Sequence, residues 1–378
     1  MRVTFVLNDV NLSGGIRVVA IYAERLQRRG HRVTVVSRPH RIPSLGTSVK
    51  SLLRGRGWPT QPSGDRRSHL DDIARHGVEH RVIESVRPIT DRDVPDADVV
   101  VATWWETAPW VAALSPIKGA KAYFVQDFGA NSGQPMDRLV ATWRLPMHKL
   151  VISRYIMDLV RPHCPADEPL EYVPNSVDLE LFRAPPRGKQ PRPTIGMIYS
   201  RSLFKGADLC LNAYEIARRQ VADLHLVGFG LHHRSADLPV PEGSEFHARL
   251  PDEQLRDVYA RCDAWLFGPR KEGFGLPVLE AMACRTPVIA TPAGAAPELI
   301  AQRGGGILVG HDDPDAMAAA IVNVAAMSDA EWRQMSNAAH ATVTGFTWDD
   351  ATARFEAALE AAIARGGWRR ETSVSMVG

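Results

Sequence analysis

The stretch "EGFGLPVLE" (272–280) keeps two carboxylates, Glu272 and Glu280, in a run that is otherwise almost wholly apolar. Pro277 suits the first turn of a helix running "PVLEAMAC", which leaves Gly273, Phe274 and Gly275 in the loop ahead of it. Backbone N–H groups at such a helix start, aided by the helix dipole, form an anion site. Glycines there let the main chain approach a ligand because no Cβ intervenes. Glu280, near the same helix end, can accept two hydrogen bonds from a vicinal diol such as a ribose. Glu272 reaches the other end of a bound diphosphate, where a sugar sits. The plainer alternative is that Glu280 stabilises the helix start and Glu272 is a surface charge.

These residues need elements that bring them to one place. "RVTFVLN" (2–8) reads as a strand, followed by a Gly-rich turn and a helix with Val18, Val19, Tyr22 and Leu26 on one face, closing on Gly30. Strand-like runs return at 32–37, 98–102, 121–125 and 149–152 with helical stretches between them, the pattern of a parallel α/β sheet. "APPRGKQPRP" (184–193) has no apolar period and reads as a linker. The alternation then restarts, with strands at 194–200, 224–228, 264–268 and 287–291, helices at 206–219, 252–262 and 277–284, and an Ala-rich helical stretch over 313–366. The expected fold class is α/β, two Rossmann-like domains facing across a cleft: residues 1–183, completed by a C-terminal helix at about 348–378, and residues 194–347.

A chain of 378 residues with a formal net charge of +2 gives no global reason to expect nucleic-acid binding. No run of eighteen uninterrupted apolar residues occurs, and "MRVTFVLNDV" enters a strand without a signal-peptide core, so a cytoplasmic protein is expected. Cys164, Cys210, Cys262 and Cys284 form no CxxC pair and read as reduced thiols. One segment stands apart. Between Arg38 and Leu70, seven Lys or Arg residues face the single Asp65, among Leu52, Leu53 and Trp58. It reads either as a solvated insertion or as a basic loop touching an anionic membrane surface, which allows peripheral attachment at the inner face of the plasma membrane.

"EGFGLPVLEAMACRTPVIAT" resembles the signature of retaining glycosyltransferases of the GT-B fold, family 4 type (glycosyl transferases group 1). The resemblance runs along nearly the whole chain: "SGGIRVVAIYAERLQRRGHRVTVV", "VPNSVDLELF", "YSRSLFKGADLCLNAYE", "LHLVGFG", "LPDEQLRDVYARCDAWLFGP" and "FTWDDATARFEAAL" follow the family's units in order. It implies transfer of a sugar from a nucleoside diphosphate sugar to a hydroxyl acceptor, with retention, as in the making of a bacterial surface glycan, lipid-linked saccharide or glycoconjugate. By position it implies that Arg201 and Lys205 clamp the diphosphate. Gly273, Phe274, Gly275 and Leu276 offer main-chain donors, Glu280 holds the ribose and Glu272 meets the donor sugar. Arg249 and Leu250 face the base, Gly228 belongs to the strand end beside it, and Gly14 and Gly15 close over the diphosphate. No cofactor and no divalent ion are expected. Asp96-Ala97-Asp98, similar to a metal-binding DxD, opens a buried strand and reads as a turn.

Three departures qualify the resemblance. Where relatives often carry a His, the chain has Gln126 and Asp127; Asp127 can help an acceptor hydroxyl lose its proton, or can cap a turn. Trp104, Trp105 and Glu106, at another strand end, offer an acceptor-sugar platform or an ordinary packed interface. Arg285 stands where the family has Gly, and a left-handed residue there costs Arg about 1 kcal/mol. The spacing from Arg201 to Lys205 is also one residue short. The rival readings are a nucleotide-sugar epimerase or hydrolase of the same fold, and a non-catalytic sugar-nucleotide-binding protein. A pyridoxal-dependent phosphorylase does not suit a chain this short with no lysine in a suitable motif.

Overall fold

β-Branched residues, stiff at their first side-chain torsion, crowd the runs that become strands. The computed structural model describes residues 1–39, 67–127, 135–231 and 233–366. In its first half, β1 (Arg2–Leu7) leads through α1 (Gly14–Arg28) to β2 (Arg32–Ser37). There follow β3 (Glu79–Val82), β4 (Val99–Ala102), α2 (Thr107–Ala112), β5 (Ala120–Val125), α3 (Met136–Trp143), β6 (His148–Val151), α4 (Arg154–Val160) and β7 (Leu170–Tyr172). These strands form one parallel sheet in the order β3-β2-β1-β4-β5-β6-β7.

The second half repeats the scheme with β8 (Thr194–Ile198), α5 (Ala207–Ala217), β9 (His225–Gly230), β10 (Glu245–Ala248), α6 (Asp252–Ala260) and β11 (Ala264–Phe267). It continues with α7 (Leu276–Ala283), β12 (Val288–Ala290), α8 (Ala296–Arg303), β13 (Gly306–Leu308), α9 (Pro314–Ala326) and α10 (Asp329–Val343). Its parallel sheet runs β10-β9-β8-β11-β12-β13. The expected strands are all central ones, whose two covered faces give continuous apolar runs. Those the pattern missed, β3 "EHRV", β7 "LEY", β10 "EFHA" and β13 "GIL", are short edge strands with no alternation to read.

The last helix, α11 (Trp348–Arg365), leaves the second half and packs on the first sheet against β4, β5 and β6. Thr347 caps it, accepting from Asp350 N–H. Phe355 stacks on Tyr22 with ring centres 4.3 Å apart and meets Phe124 edge-on at 5.1 Å. The 184–193 segment is tied down by polar contacts along the second half. Lys189 Nζ donates to the Ala325 and Met327 carbonyls at 2.6 and 2.8 Å, and Arg187 lies over the Trp332 ring at 4.4 Å.

Most of the basic 38–70 segment falls within 40–66, outside the described residues, as do 128–134 and 367–378. Among the described residues, no helix is long and apolar enough to cross a membrane. All four cysteines are free, and burial pushes the Cys210 and Cys262 thiols up to about 12.

Candidate active site

Strand order reverses between β1 and β4 in the first sheet and between β8 and β11 in the second. Ligands of doubly wound sheets bind outside the strand ends at such reversals. The connections there carry the residues singled out above: Gly14 and Gly15 as the first two residues of α1 after β1, Trp104, Trp105 and Glu106 after β4, Arg201 and Lys205 after β8, and Glu272 to Gly275 after β11.

The two halves meet where the Glu272–Gly275 loop touches β5 and α4. A Cβ on Gly273 would stand 2.2 Å from the Gln126 carbonyl oxygen, so only glycine allows this approach. Ser153 caps α4 by accepting from Ile156 N–H and donates its own hydroxyl to the Gly273 carbonyl at 2.8 Å. Gly275 has φ +95, and a side chain there would strike the Phe267 ring. The Gln126 amide lies beside Gly15, and Leu276 faces Gly14. Glycines from both halves thus face one narrow seam.

At one end of the seam, Lys205 Nζ lies 2.6 Å from Glu272 Oε2, while Glu272 Oε1 accepts from Gly273 N–H at 3.1 Å. Glu272 foremost, with a smaller push from Asp127, holds the Lys205 ammonium above the ordinary lysine range, against the effect of burial. Lys205 and Glu272 are therefore a contact pair, and the Asp127 carboxylate of the first half is near enough for its charge to act on the lysine. Arg270 fixes the loops of the pair, with two bonds to the Asp208 carboxylate at 2.8 and 2.9 Å and one to the Leu203 carbonyl at 2.6 Å.

At the other end, Glu280 is buried. It accepts from Arg17 Nη1 at 2.9 Å and from the Tyr259 hydroxyl at 2.8 Å. Burial raises the Glu280 pKa, with Arg17 and Tyr259 opposing that rise. Burial works against the charge on Arg17, and Glu280 and Asp252 more than offset it; the Asp252 carboxylate is 3.3 Å away. Beside this group opens a cavity of about 340 Å³ lined by Arg17, Phe182, Asp252, Leu276, Glu280 and Trp348, among others. Arg249 follows β10 in the left-handed region at φ 57 and donates from Nε to the Leu231 carbonyl at 3.2 Å; of the stretch from Arg249 to Asp252, only Asp252 lines the cavity.

Other expected residues lie apart. Arg201 is 58% exposed and reaches towards Asp237 at 4.0 Å, so it does not join the Lys205–Glu272 cluster. Gly228 is buried within β9, where a Cβ would meet Met197 and Phe246 at ordinary contact distance, rather than in the loop after it. Trp104, Trp105 and Glu106 are half-buried; Glu106 accepts from Asn8, which accepts from Arg38 Nη1 at 2.7 Å. Asp98 is spent on the Arg2 backbone and guanidinium, and Asp96 on Lys118, as a strand-start turn requires.

Sequence reasoning missed Arg17, Tyr259, Ser153 and Arg270. The first two are polar residues on the inward sides of amphipathic helices, which is the one signal that could have found them.

Residues 180–341 match the profile of the family described as "Glycosyl transferases group 1". Among curated proteins, the chain is 27% identical to the GDP-mannose-dependent alpha-(1-6)-phosphatidylinositol monomannoside mannosyltransferase of Mycolicibacterium smegmatis, over 59% of this chain and 66% of that one. It is 30% identical to the MMP alpha-(1->4)-mannosyltransferase of Mycolicibacterium hassiacum, over 74% of this chain and 64% of that one. The chain thus spans just under two thirds of the length of these relatives. Among solved structures, the sucrose-phosphate synthase of Thermosynechococcus elongatus superposes with a TM-score of 0.72 at 17% identity, covering 97% of this chain and all of that one. That likeness shows the fold, which is GT-B. With the ordered glycine loops and the two facing sheets, the chain resembles the glycosyl transferases group 1 family, whose profile it matches over residues 180–341.

Proposed function

We propose that the protein transfers a sugar from a nucleoside diphosphate sugar to a hydroxyl group of a saccharide or lipid-linked acceptor, with retention at the anomeric carbon. The observation that carries this reading is the seam itself. A cation–carboxylate pair (Lys205, Glu272) stands at one end, a buried carboxylate (Glu280) beside a cavity stands at the other, and glycine main chain lies between. The mannosyltransferase names of the relatives support a glycosyl transfer, and one of those names specifies a GDP-mannose donor and an alpha linkage.

In the proposed step, the bond between the anomeric carbon and the diphosphate oxygen breaks and a bond to the acceptor oxygen forms on the same face. Lys205 and the N–H groups ahead of α7 meet the charge that develops on the departing diphosphate. We assign this work to them and to Arg201, which comes to the phosphates by swinging from its exposed position, rather than to a divalent ion. Glu272 orients the donor sugar. Asp127 takes the acceptor proton, or passes it to the leaving phosphate. Gln126, Trp104, Trp105 and Glu106 form the acceptor side.

The test is binding and slow hydrolysis across a panel of nucleotide sugars, comparing wild type with Glu280→Ala. One donor should bind wild type, and the variant should bind it at least about tenfold more weakly. If no sugar nucleotide or nucleoside diphosphate binds wild type, the reading fails. For the basic segment we propose contact with an anionic membrane surface. Deleting residues 44–64 should weaken binding to anionic vesicles while leaving nucleotide binding intact, and unchanged vesicle binding rejects the idea.

A further inference from the structure

The carboxylate expected to hold a nucleotide diol is neutralised from the opposite half of the molecule. Arg17 belongs to α1 and Glu280 to α7, 263 residues apart, yet Nη1 and Oε1 are 2.9 Å apart in a setting where the Glu280 side chain is 8% exposed. A carboxylate so buried takes up a proton unless a countercharge and hydrogen bonds hold it ionised. The groups facing Glu280 are Arg17 from α1, Tyr259 and Asp252 from α6, and Cys284 just past α7. Farther along the cavity wall stand Glu24, Arg25, Arg28 and Asp178. Arg25 is paired with Asp349 and Arg28 with Glu24, so Arg17 alone of these brings positive charge into contact with Glu280.

Arg17 and Tyr259 each fill one acceptor position on a different Glu280 oxygen. Each carboxylate oxygen has a second position, so a diol entering the adjoining cavity finds acceptors without displacing either donor. Resting on the donor-site reading above, we propose that Arg17 is a positioning residue for the nucleotide. From the first half it keeps Glu280 ionised and aimed, so that the diol acceptor is competent only when α1 and α7 meet across the seam.

The experiment titrates UDP, GDP and their 2′-deoxy forms into wild type, Arg17→Gln and Arg17→Lys by calorimetry, with melting curves to check folding. Wild type should prefer the ribose form of whichever nucleotide it binds. Arg17→Gln should lose about tenfold or more in affinity for that form, as expected for a hydrogen-bonded charge, and much less for the deoxy form, so that the preference collapses. Raising the pH should recover part of the loss, because the unpaired carboxyl must ionise. Arg17→Lys should keep part of the preference, and it carries the test should the Gln variant not fold. A Gln variant that keeps the full ribose preference, weakens both forms equally or binds more tightly overturns the proposal, as does a Lys variant that loses both forms equally. If neither nucleotide binds wild type, the donor-site reading itself falls and the proposal falls with it, a result distinct from any difference between variants.

Discussion

Two glutamates, the buried Glu280 and the half-buried Glu298, cross the seam with the same partner types and a different outcome. Glu280 on α7 meets Arg17 and Tyr259; Glu298 on α8 meets Arg154 Nε at 3.4 Å and the Tyr172 hydroxyl at 2.9 Å. Burial raises the pKa of both. Arg17 is largely buried and shares the wall of a cavity with Glu280, whereas Arg154 is 71% exposed and lies over the Tyr172 ring. Glu298 also leaves its Oε1 without a hydrogen bond. The same three side-chain types thus make a cavity-facing group in one place and a fastening between the halves in the other. What separates them is the depth of the arginine and the space beside the acid, and neither is a property of the residue types.

The comparison can be broken most directly by nucleotide binding. Glu280→Gln should weaken nucleoside diphosphate binding by about tenfold or more, while Glu298→Gln leaves the dissociation constant unchanged; equal losses in a calorimetric titration would erase the distinction. A further contrast lies in the tyrosines. Tyr259→Phe strips a hydroxyl from a fully buried carboxylate and should cost about 2 kcal/mol of unfolding free energy, whereas Tyr172→Phe, at a half-buried site, should cost about 1 kcal/mol or less. Urea titrations of both variants decide it.

The smallest effect is in pH dependence. The folded chain holds the Glu298 proton more tightly than the unfolded chain does, so that contribution to stability is full below pH 4.5 and is lost as the pH rises through the folded-state pKa. Glu298→Gln, which stays neutral, should therefore gain on wild type in melting temperature from pH 4.5 upward and show no such drift below it. A constant offset between the two melting profiles would remove Glu298 from the account.

The sequence showed the alternation of central strands and helices because a buried parallel strand leaves a run of β-branched residues wherever it occurs. It also showed the glycine loop ahead of α7, because the glycine and proline positions there are local. The pairing of Arg17 with Glu280 was invisible for the opposite reason: nothing within a helical turn of either residue encodes a partner 263 positions away. The resemblance put Arg201 beside Lys205, yet its exposed side chain points towards Asp237, an orientation that no local pattern encodes.

Arg285 shows how a local rule can be read correctly and still lack its reason. It does adopt φ 60 at the end of α7, with Arg285 N–H bonded to Met282 O and Thr286 N–H to Ala281 O, the paired closing bonds of a glycine-type helix end. Its guanidinium then bonds the Ala184 carbonyl at 3.1 Å and the Asn337 amide oxygen at 2.9 Å, offsetting the backbone cost. Arg285→Ala, which keeps the left-handed strain and loses both bonds, should be less stable than Arg285→Gly by about 1 kcal/mol. Equal denaturation midpoints for the two would show that the side chain alone sets the balance.

The return of α11 to the first sheet has a consequence for the order of synthesis. Phe5, Tyr22 and Phe124 leave the ribosome long before Phe355, the ring that covers them. The second half, whose strands and helices all lie between Thr194 and Val343, is complete before Trp348 is made. The half that is translated first is therefore the half that finishes last, and its exposed aromatic face must be kept from other chains until the final helix arrives.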